Sequence, residues 1–295
     1  MATLLIYCLG WPLPATAGPQ VANLQTNTQA SISERTEMPA DIQRIVDRGK
    51  LIVALLDTDN APFFMTKSWS EVPSGLDTKI AEGLADALGV DIEFNRAANT
   101  FNGVVDQVYD LKADIAISKL SQTLKRARRV RFSRPYVTMR QGLLVNRVQL
   151  AAETHGNHVI EAIRNFEGKV GVIEGSSYVG FLKQKFPQAT VQEYPDWDEI
   201  VAAVISGEIQ AAYRDELEVK KIILKNPDAA LRLQTIALTD TKDSIAMALP
   251  WDSGHLQAFV NQYLDTLNID YSADDVLAEY ADYFADHSTG PTTES

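Results

Sequence analysis

Two stretches of the chain begin alike. "GKLIVALLD" starts at Gly49 and "GKVGVIEG" at Gly168, and each opens with Gly-Lys before an apolar run typical of a buried strand. "LKADIAIS" and "GEIQAAYRD" match each other in the same way, as a helix, a turn and a strand that ends in polar residues. After the first strand, Asp77 occupies a helix N-cap position and Gly89 ends that helix. This alternation of helices and strands predicts an α/β protein with two lobes.

The predicted lobes define a ligand crevice, because polar residues follow the strands and open parallel sheets bind ligands at the carboxyl edge. The chain is expected to cross over near Val137 to Arg140 and to return through "DSIAMALP", Asp243 to Pro250. We predict lobe 1 as residues 41–137 plus 248–287 and lobe 2 as residues 138–247. Each lobe is expected to be a mostly parallel sheet flanked by helices, with a two-strand hinge between them.

The two ends of the chain are expected to lie outside the lobes. Residues 1–17 contain a short apolar run and a small-residue site, which predict a secretory signal, although no Lys or Arg precedes the run. Residues 18–40 form a polar leader and residues 288–295 a disordered tail. The single cysteine, Cys8, lies inside the signal, so the exported chain would have no thiol for a disulfide or a metal. We therefore expect a periplasmic protein.

The chain carries a formal charge of −12 and a pI near 4.8, which argues against binding to nucleic acid or anionic lipid. One stretch differs: "SKLSQTLKRARRVRFSRPY", from Ser118, has seven Arg or Lys in nineteen positions. It is a nucleic-acid or membrane patch, a solvated helix face, or the setting of one functional arginine. Spacing alone favours the solvated face for Arg126. The four histidines show no ligand spacing, so we predict no metal and no cofactor.

A family resemblance rests on an ordered set of segments: the strand ending at Asp57, "APFF", "SGLD", "KADIAIS", "SQTLKRARRVRFSRPY", "GKVGVIEGSS" and "AAYRDE". The set resembles the polar-amino-acid binding proteins of bacterial ABC importers and covers residues 41–285. The resemblance implies the type II periplasmic-binding-protein fold. It also implies a monomer that captures a polar L-amino acid between two lobes, closes, and delivers it to a membrane permease.

The same resemblance implies roles for polar residues on both sides of the crevice. Arg126 would fork around the ligand α-carboxylate, which suits a planar guanidinium with paired donors. Ser118 and Ser121 would meet the α-ammonium and the α-carboxylate. Ser177, beside Ser176 in "EGSS", would help to hold the carboxylate at a helix N-terminus.

Further residues carry over to the ammonium and to the side-chain pocket. Asp215 would pair with the α-ammonium, and the aromatic rings of Phe101 and Phe63 would line the pocket. Two positions depart from the family pattern, because Asn60 replaces an aromatic residue and Lys119 replaces a small one. These departures leave the ligand side chain open.

The side-chain preference depends on two cations, Lys119 and Arg214, which flank presumed contact residues at strand ends, where both neighbours can reach a pocket. A cation there favours an acidic side chain and repels lysine or arginine. The negative charge of Asp57 opposes this preference, so a ligand with a neutral amide side chain, such as glutamine, would also be accommodated. We predict glutamate, aspartate or glutamine in preference to lysine, arginine and aliphatic ligands.

An enzyme is the alternative, because the same fold resembles the cyclohexadienyl and arogenate dehydratases, with Glu218 as candidate general acid. Its neighbours Glu216, Lys220 and Lys221 instead favour an ordinary surface carboxylate on a helix. A third class is a receptor domain that serves a sensor or channel as a separate subunit. A hydrolase is disfavoured, because no Ser-His-Asp order or paired-carboxylate signature is found.

Overall fold

The computed structural model describes residues 38–66, 72–154, 166–225 and 227–286. The predicted signal, nearly all of the predicted leader and the predicted tail lie outside the described residues. Among the described residues, no helix has the length and apolar character needed to cross a membrane.

Strands and helices alternate through the described residues. The strands are β1 (Lys50–Leu56), β2 (Met65–Thr66), β3 (Pro73–Ser74), β4 (Asp91–Ala98), β5 (Ile115–Ala116), β6 (Val130–Phe132), β7 (Val137–Asn146), β8 (Lys169–Ile173), β9 (Thr190–Tyr194), β10 (Ala211–Asp215), β11 (Leu233–Ile245), β12 (Ala248–Pro250) and β13 (Tyr271–Ser272). The α-helices are α1 (Ala40–Arg48), α2 (Leu76–Leu88), α3 (Phe101–Tyr109), α4 (Leu124–Ala127), α5 (Arg147–Thr154), α6 (Tyr178–Lys185), α7 (Trp197–Ser206), α8 (Glu216–Lys225), α9 (Gly254–Thr266), α10 (Ala273–Glu279) and α11 (Ala281–Asp286).

Two larger sheets organise these elements, which confirms the predicted two-lobed α/β fold. The first sheet has the strand order β4-β1-β5-β12-β6, and the second has the order β11-β7-β10-β8-β9 with β13 beside β7. In the first sheet β1 runs parallel to β4 and β5, and in the second β8 runs parallel to β9 and β10. The lobe boundaries given above stay a prediction.

The hinge consists of β7 and β11, which pair antiparallel from Val137 opposite Ile245 to Asn146 opposite Leu233. The end of this pair reaches the first sheet, where Ser121 forms an isolated bridge with Ile245. The two predicted crossing segments, which begin at Val137 and Asp243, therefore lie next to each other. Both lie close to the end of β5, which precedes Ser121.

Buried residues alternate between the two faces of the second sheet. In the second sheet Leu143 and Tyr213 belong to one buried cluster, whereas Leu144 and Ala212 belong to another. Successive residues of a strand point to opposite faces, so this sheet has helices and a core on each face. The first sheet shares a single core with α1, α9 and α10.

The N-cap prediction for Asp77 is wrong. Helix α2 begins at Leu76, and its N-cap is Gly75 at φ 144°, where a Cβ atom would clash with the carbonyl oxygen of Phe63. The buried Asp77 carboxylate instead accepts hydrogen bonds from the backbone N–H of Lys119 (2.7 Å) and the hydroxyl of Tyr136 (2.8 Å). Asp77 therefore anchors the loop that carries Lys119. The helix ends at Gly89 in the left-handed conformation, as predicted.

Candidate functional site

Two cavities lie between the lobes. The wider one has a volume of about 920 Å³, and its walls include Asn60, Phe101 and Trp197. The narrower one has a volume of about 20 Å³ and is lined by Arg126, Asp215 and Asp243 among others. Phe101 and Arg214 line both cavities, so the two form one cleft with a wide part and a narrow end.

Arg126 is held in the cleft by a short helix. Thr123 caps α4 by accepting the backbone N–H of Arg126 at 3.2 Å, and the arginine side chain turns inward. Arg126 is 4% exposed, whereas its neighbours Lys125, Arg128 and Arg129 are exposed. The solvated-face interpretation is therefore wrong for Arg126 and right for these three neighbours.

The guanidinium of Arg126 keeps one donor free. Its Nε donates to Asn102 Oδ1 at 3.1 Å and its Nη1 to the carbonyl of Ser121 at 3.0 Å. Its buried Nη2 has no hydrogen-bond partner among the described residues. Burial lowers the pKa of Arg126 to about 10, which leaves it charged at neutral pH. A buried charged donor without a partner is costly, so this atom is suited to meet an incoming acceptor.

Hydroxyl groups connect the two lobes beside Arg126. Ser177, which precedes α6, donates its Oγ–H to Ser121 Oγ at 2.9 Å, and Ser121 donates to Asp243 Oδ2 at 3.1 Å. Tyr178 also donates to Asp243 Oδ2, at 2.8 Å, while Ser176 donates to the carbonyl of Ile173 at 2.6 Å. One carboxylate oxygen of Asp243 thus accepts hydrogen bonds from hydroxyl groups on both sides of the cleft.

Asp243 was missed by the sequence analysis. It lies on β11, is 1% exposed, and its Oδ1 has no hydrogen-bond partner among the described residues. Burial raises the pKa of Asp243 to about 6, and the hydrogen bond from Tyr178 opposes this rise. The signal in the sequence was an acid at the head of the otherwise apolar return strand "DSIAMALP".

Lys119 forms an ion pair across the cleft. It follows β5 in a left-handed conformation, φ 49°, and its Nζ lies 2.9 Å from Asp215 Oδ2 and 2.7 Å from Glu218 Oε1. The Nζ also lies 4.8 Å from the centre of the Phe63 ring, within cation–π range. The Lys119 side chain is 3% exposed. A cation of the first lobe is therefore buried against two carboxylates of the second.

The surface-carboxylate interpretation of Glu218 is wrong, because Glu218 is 3% exposed. Besides Lys119, Lys221 lies 2.9 Å from its Oε1 and Arg214 lies 3.8 Å from its Oε2. Burial opposes ionisation of Glu218, but these three cations outweigh burial and hold its pKa well below the usual value. The amide of Asn60, in the orientation that satisfies its neighbours, donates to Glu218 and accepts from Arg214, each at 3.1 Å.

Asp215 is also occupied by groups of this chain. Its Oδ2 meets Lys119, and its Oδ1 accepts the backbone N–H of Glu218 at 3.1 Å. Arg214 adds a longer contact of 3.9 Å to Oδ2 and stacks over Trp197, with 5.1 Å from its guanidinium carbon to the ring centre. Both carboxylate oxygens of Asp215 therefore have partners without any ligand.

Most predicted site residues meet at the narrow cavity. Those in its wall are Phe101, Lys119, Ser121, Arg126, Ser176, Ser177 and Asp215. Three others line neither cavity. Ser118 is fully buried and accepts the backbone N–H of Leu56 at 3.0 Å, Phe63 packs in the core, and Asp57 is exposed beside Thr58. Ligand contact stays a prediction for all ten.

Among the described residues, no group of three or more His, Cys, Asp or Glu side chains could hold a metal ion. Besides Asp243, the sequence analysis missed Tyr178 and Trp197 as cavity residues. Aromatic residues at the start of helices resemble ordinary core positions, so local pattern offers no signal for them.

Comparisons with known proteins place the chain among binding proteins. Residues 52–282 match the sequence profile of the bacterial extracellular solute-binding proteins, family 3. The lysine/arginine/ornithine-binding periplasmic protein of Escherichia coli is 24% identical over 234 residues, which cover 77% of this chain and 86% of that protein. The crystal structure of the amino acid ABC transporter substrate-binding protein AbpA from Streptococcus pneumoniae, bound to L-arginine, superimposes with a TM-score of 0.67 and 27% identity over 84% of this chain and 100% of that one.

Another relative is longer. The membrane-bound lytic murein transglycosylase F of Serratia proteamaculans is 26% identical over 209 residues, which cover 68% of this chain and 40% of that protein. This chain therefore spans less than half the length of that relative.

Proposed function

The chain belongs to the bacterial extracellular solute-binding proteins, family 3, and from that premise we propose that it captures a polar L-amino acid between its lobes and delivers it to an ABC transporter permease. The permease partner and the periplasmic location follow from what such proteins do. A monomeric state and the absence of nucleic-acid binding stay predictions.

The observation that carries this proposal is the free donor of Arg126. Its Nη2 is buried without a partner in the wall of the narrow cavity, next to the hydroxyl groups of Ser121 and Ser177. A carboxylate accepts a charge-assisted hydrogen bond from a guanidinium N–H and further bonds from hydroxyl groups. The narrow end of the cleft thus has the chemistry to bind the carboxylate of an amino acid.

Closure would provide the signal that the permease reads. The lobes already touch, because the backbone N–H of Asn102 donates to the carbonyl of Gly175 at 3.0 Å and Ser177 donates to Ser121. A ligand that contacts both lobes binds the closed form more tightly and shifts the population toward it. The ligand would therefore bind in the cleft, and the two lobes would close around it.

Calorimetry of the purified chain against the twenty L-amino acids tests the proposal. At least one should bind, and Arg126→Ala should weaken it by about tenfold or more, because the charge-assisted hydrogen bond from Nη2, worth about 1.5–3 kcal/mol, is lost. Arg128→Ala, an exposed neighbour on the same stretch, is the matched control and should leave affinity unchanged. Affinity of Arg126→Ala within about threefold of the wild type would contradict the proposal.

The dehydratase alternative receives less support from the geometry. A general acid must hold a proton at working pH, whereas Lys119, Lys221 and Arg214 keep Glu218 ionised by lowering its pKa. Incubation with prephenate and with arogenate, followed by product detection, tests this alternative directly. Turnover that disappears in Glu218→Gln would restore it. The activity of the longer transglycosylase relative is not proposed for this chain.

The side-chain preference for glutamate, aspartate or glutamine stays a prediction. Its two supporting cations, Lys119 and Arg214, are ion-paired with Asp215 and Glu218, so neither is a free partner for an acidic ligand. The amino-acid panel decides between these ligands and arginine, which occupies the AbpA structure.

A further inference from the structure

We infer that Asp243 of the hinge strand, and not Asp215, receives the α-ammonium group of the ligand. The inference rests on the proposed function, because it concerns how the same site recognises an amino acid. It assigns a recognition role to a residue outside the set implied by resemblance.

The first step is that the ammonium site at Asp215 is already filled. Lys119 Nζ lies 2.9 Å from Asp215 Oδ2, and the backbone N–H of Glu218 bonds Oδ1. An α-ammonium at Asp215 would have to displace a buried ammonium of the chain itself, and Lys119 would lose one of its two carboxylate partners. Removing one partner from a buried ion pair is strongly unfavourable.

The second step is that the narrow cavity presents one unpaired donor and one unpaired acceptor. Arg126 Nη2 and Asp243 Oδ1 are both buried, both lack a hydrogen-bond partner among the described residues, and do not bond to each other. The head group of an α-amino acid carries a carboxylate and an ammonium on one carbon. It therefore supplies an acceptor for Arg126 and a donor for Asp243 at once, which satisfies both atoms.

The third step is that backbone hydrogen bonds join the two segments that carry these groups. The backbone N–H of Gln122 donates to the carbonyl of Ser244 at 2.8 Å, and that of Ala246 donates to Leu120 at 3.0 Å. These bonds attach the strand that carries Asp243 to the segment that leads to Arg126. The pair is thus held together at the hinge, beside the first sheet, whereas Asp215 lies on β10, on the other side of β7 from β11.

The size of the cavity is consistent with this arrangement. At about 20 Å³ it holds about one water molecule, so an amino-acid head group enters when the lobes separate. In the separated state Asp243 and Arg126, whose segments are joined by backbone hydrogen bonds, would bind the head group together. The second lobe then closes over it with Ser177 and Tyr178, which already contact Ser121 and Asp243.

Calorimetry with matched ligands tests the inference. The tightest of the twenty L-amino acids and its 2-hydroxy acid, which keeps the carboxylate but has no ammonium, are titrated into wild type, Asp243→Asn and Asp215→Asn. We expect Asp243→Asn to reduce the preference for the amino acid over its 2-hydroxy acid by tenfold or more, and Asp215→Asn to change that preference by less than threefold. Asp243→Ser serves as the second variant if the amide does not fold, as judged by circular dichroism.

The outcomes separate the inference from the proposed function. An unchanged preference in folded Asp243→Asn or Asp243→Ser, or a selective loss in Asp215→Asn, overturns the assignment of Asp243 while amino-acid binding stands. No binding of any of the twenty amino acids by wild type overturns the proposed function and this inference with it.

Discussion

Two groups of charged and polar side chains face the same cleft and differ in how completely their hydrogen-bonding and ionic partners come from the chain itself. The paired cluster comprises Lys119, Arg214, Asp215, Glu218 and Lys221, and each of its carboxylates is bonded to cations of the chain. The open cluster comprises Ser121, Arg126, Ser177, Tyr178 and Asp243, and it leaves a buried donor and a buried acceptor without partners.

This difference separates stability from recognition. Burying a charge costs free energy, and a complete set of partners offsets that cost. Because the charges of the paired cluster have their partners within the chain, this cluster needs no ligand. The open cluster keeps the cost of its unsatisfied atoms until a partner arrives. Burial and charge alone therefore do not identify the ligand contacts at this cleft, whereas unpartnered buried atoms do.

The largest effect is expected from breaking the paired cluster. Glu218→Gln keeps the shape but removes the charge that balances Lys119, Lys221 and Arg214, so the free energy of unfolding should fall by about 3–5 kcal/mol. Urea denaturation followed by circular dichroism measures it. Glu193→Gln, at an exposed carboxylate, is the control and should change it by less than about 0.5 kcal/mol. A loss below about 1 kcal/mol for Glu218→Gln would mean that the cluster does not depend on this charge.

The two clusters should respond to pH with opposite signs. The pKa of Asp243 is raised from 3.8 to about 6, so the folded chain holds a proton there that the unfolded chain releases. Its contribution to stability is full below pH 3.8 and is lost as the pH rises through about 6, at about 1.4 kcal/mol per unit. The lowered pKa of Glu218 gives stability above pH 4.5 that is lost as the pH falls. The groups that face Asp243 are Ser121, Tyr178, Lys119, Asp215, Arg126 and Tyr213.

Urea titrations between pH 4 and pH 7 measure these contributions as differences from variants. The free energy of unfolding of wild type minus that of Asp243→Asn should fall as the pH rises, and wild type minus Glu218→Gln should not. Two parallel differences would remove the electrostatic contrast between the clusters.

A smaller effect is expected from the hydroxyl bridge between the lobes. Ser177→Ala removes the hydrogen bond to Ser121 Oγ, worth about 1 kcal/mol, so amino-acid affinity should fall about fivefold. Ser206→Ala, whose hydroxyl bonds Ala203 of its own helix, is the control for calorimetry. Unchanged affinity in Ser177→Ala would show that the bridge is not needed once the ligand holds the lobes.

Much of the fold and part of the site followed from sequence. The repeated Gly-Lys strands and the alternating helices predicted two α/β lobes, and the structure has two such sheets. The family resemblance selected Arg126 from the basic stretch, and Arg126 is buried whereas Lys125, Arg128 and Arg129 are exposed. The predicted N-cap at Asp77 was wrong, because a glycine is required where the chain passes the carbonyl of Phe63.

What the sequence determined by itself is local: the strands, the helices, their apolar faces and the order in which polar residues follow strands. These depend on neighbours within one turn or one strand, which a linear pattern records. The tertiary structure alone decided which charges are paired. Lys119 and Glu218 are 99 residues apart and Ser121 and Asp243 are 122 apart. Electrostatic partners can be far apart in sequence and close in space. The ion pair of Asp215 with Lys119 and the unpartnered oxygen of Asp243 therefore depend on how the two lobes pack, which a linear pattern does not record.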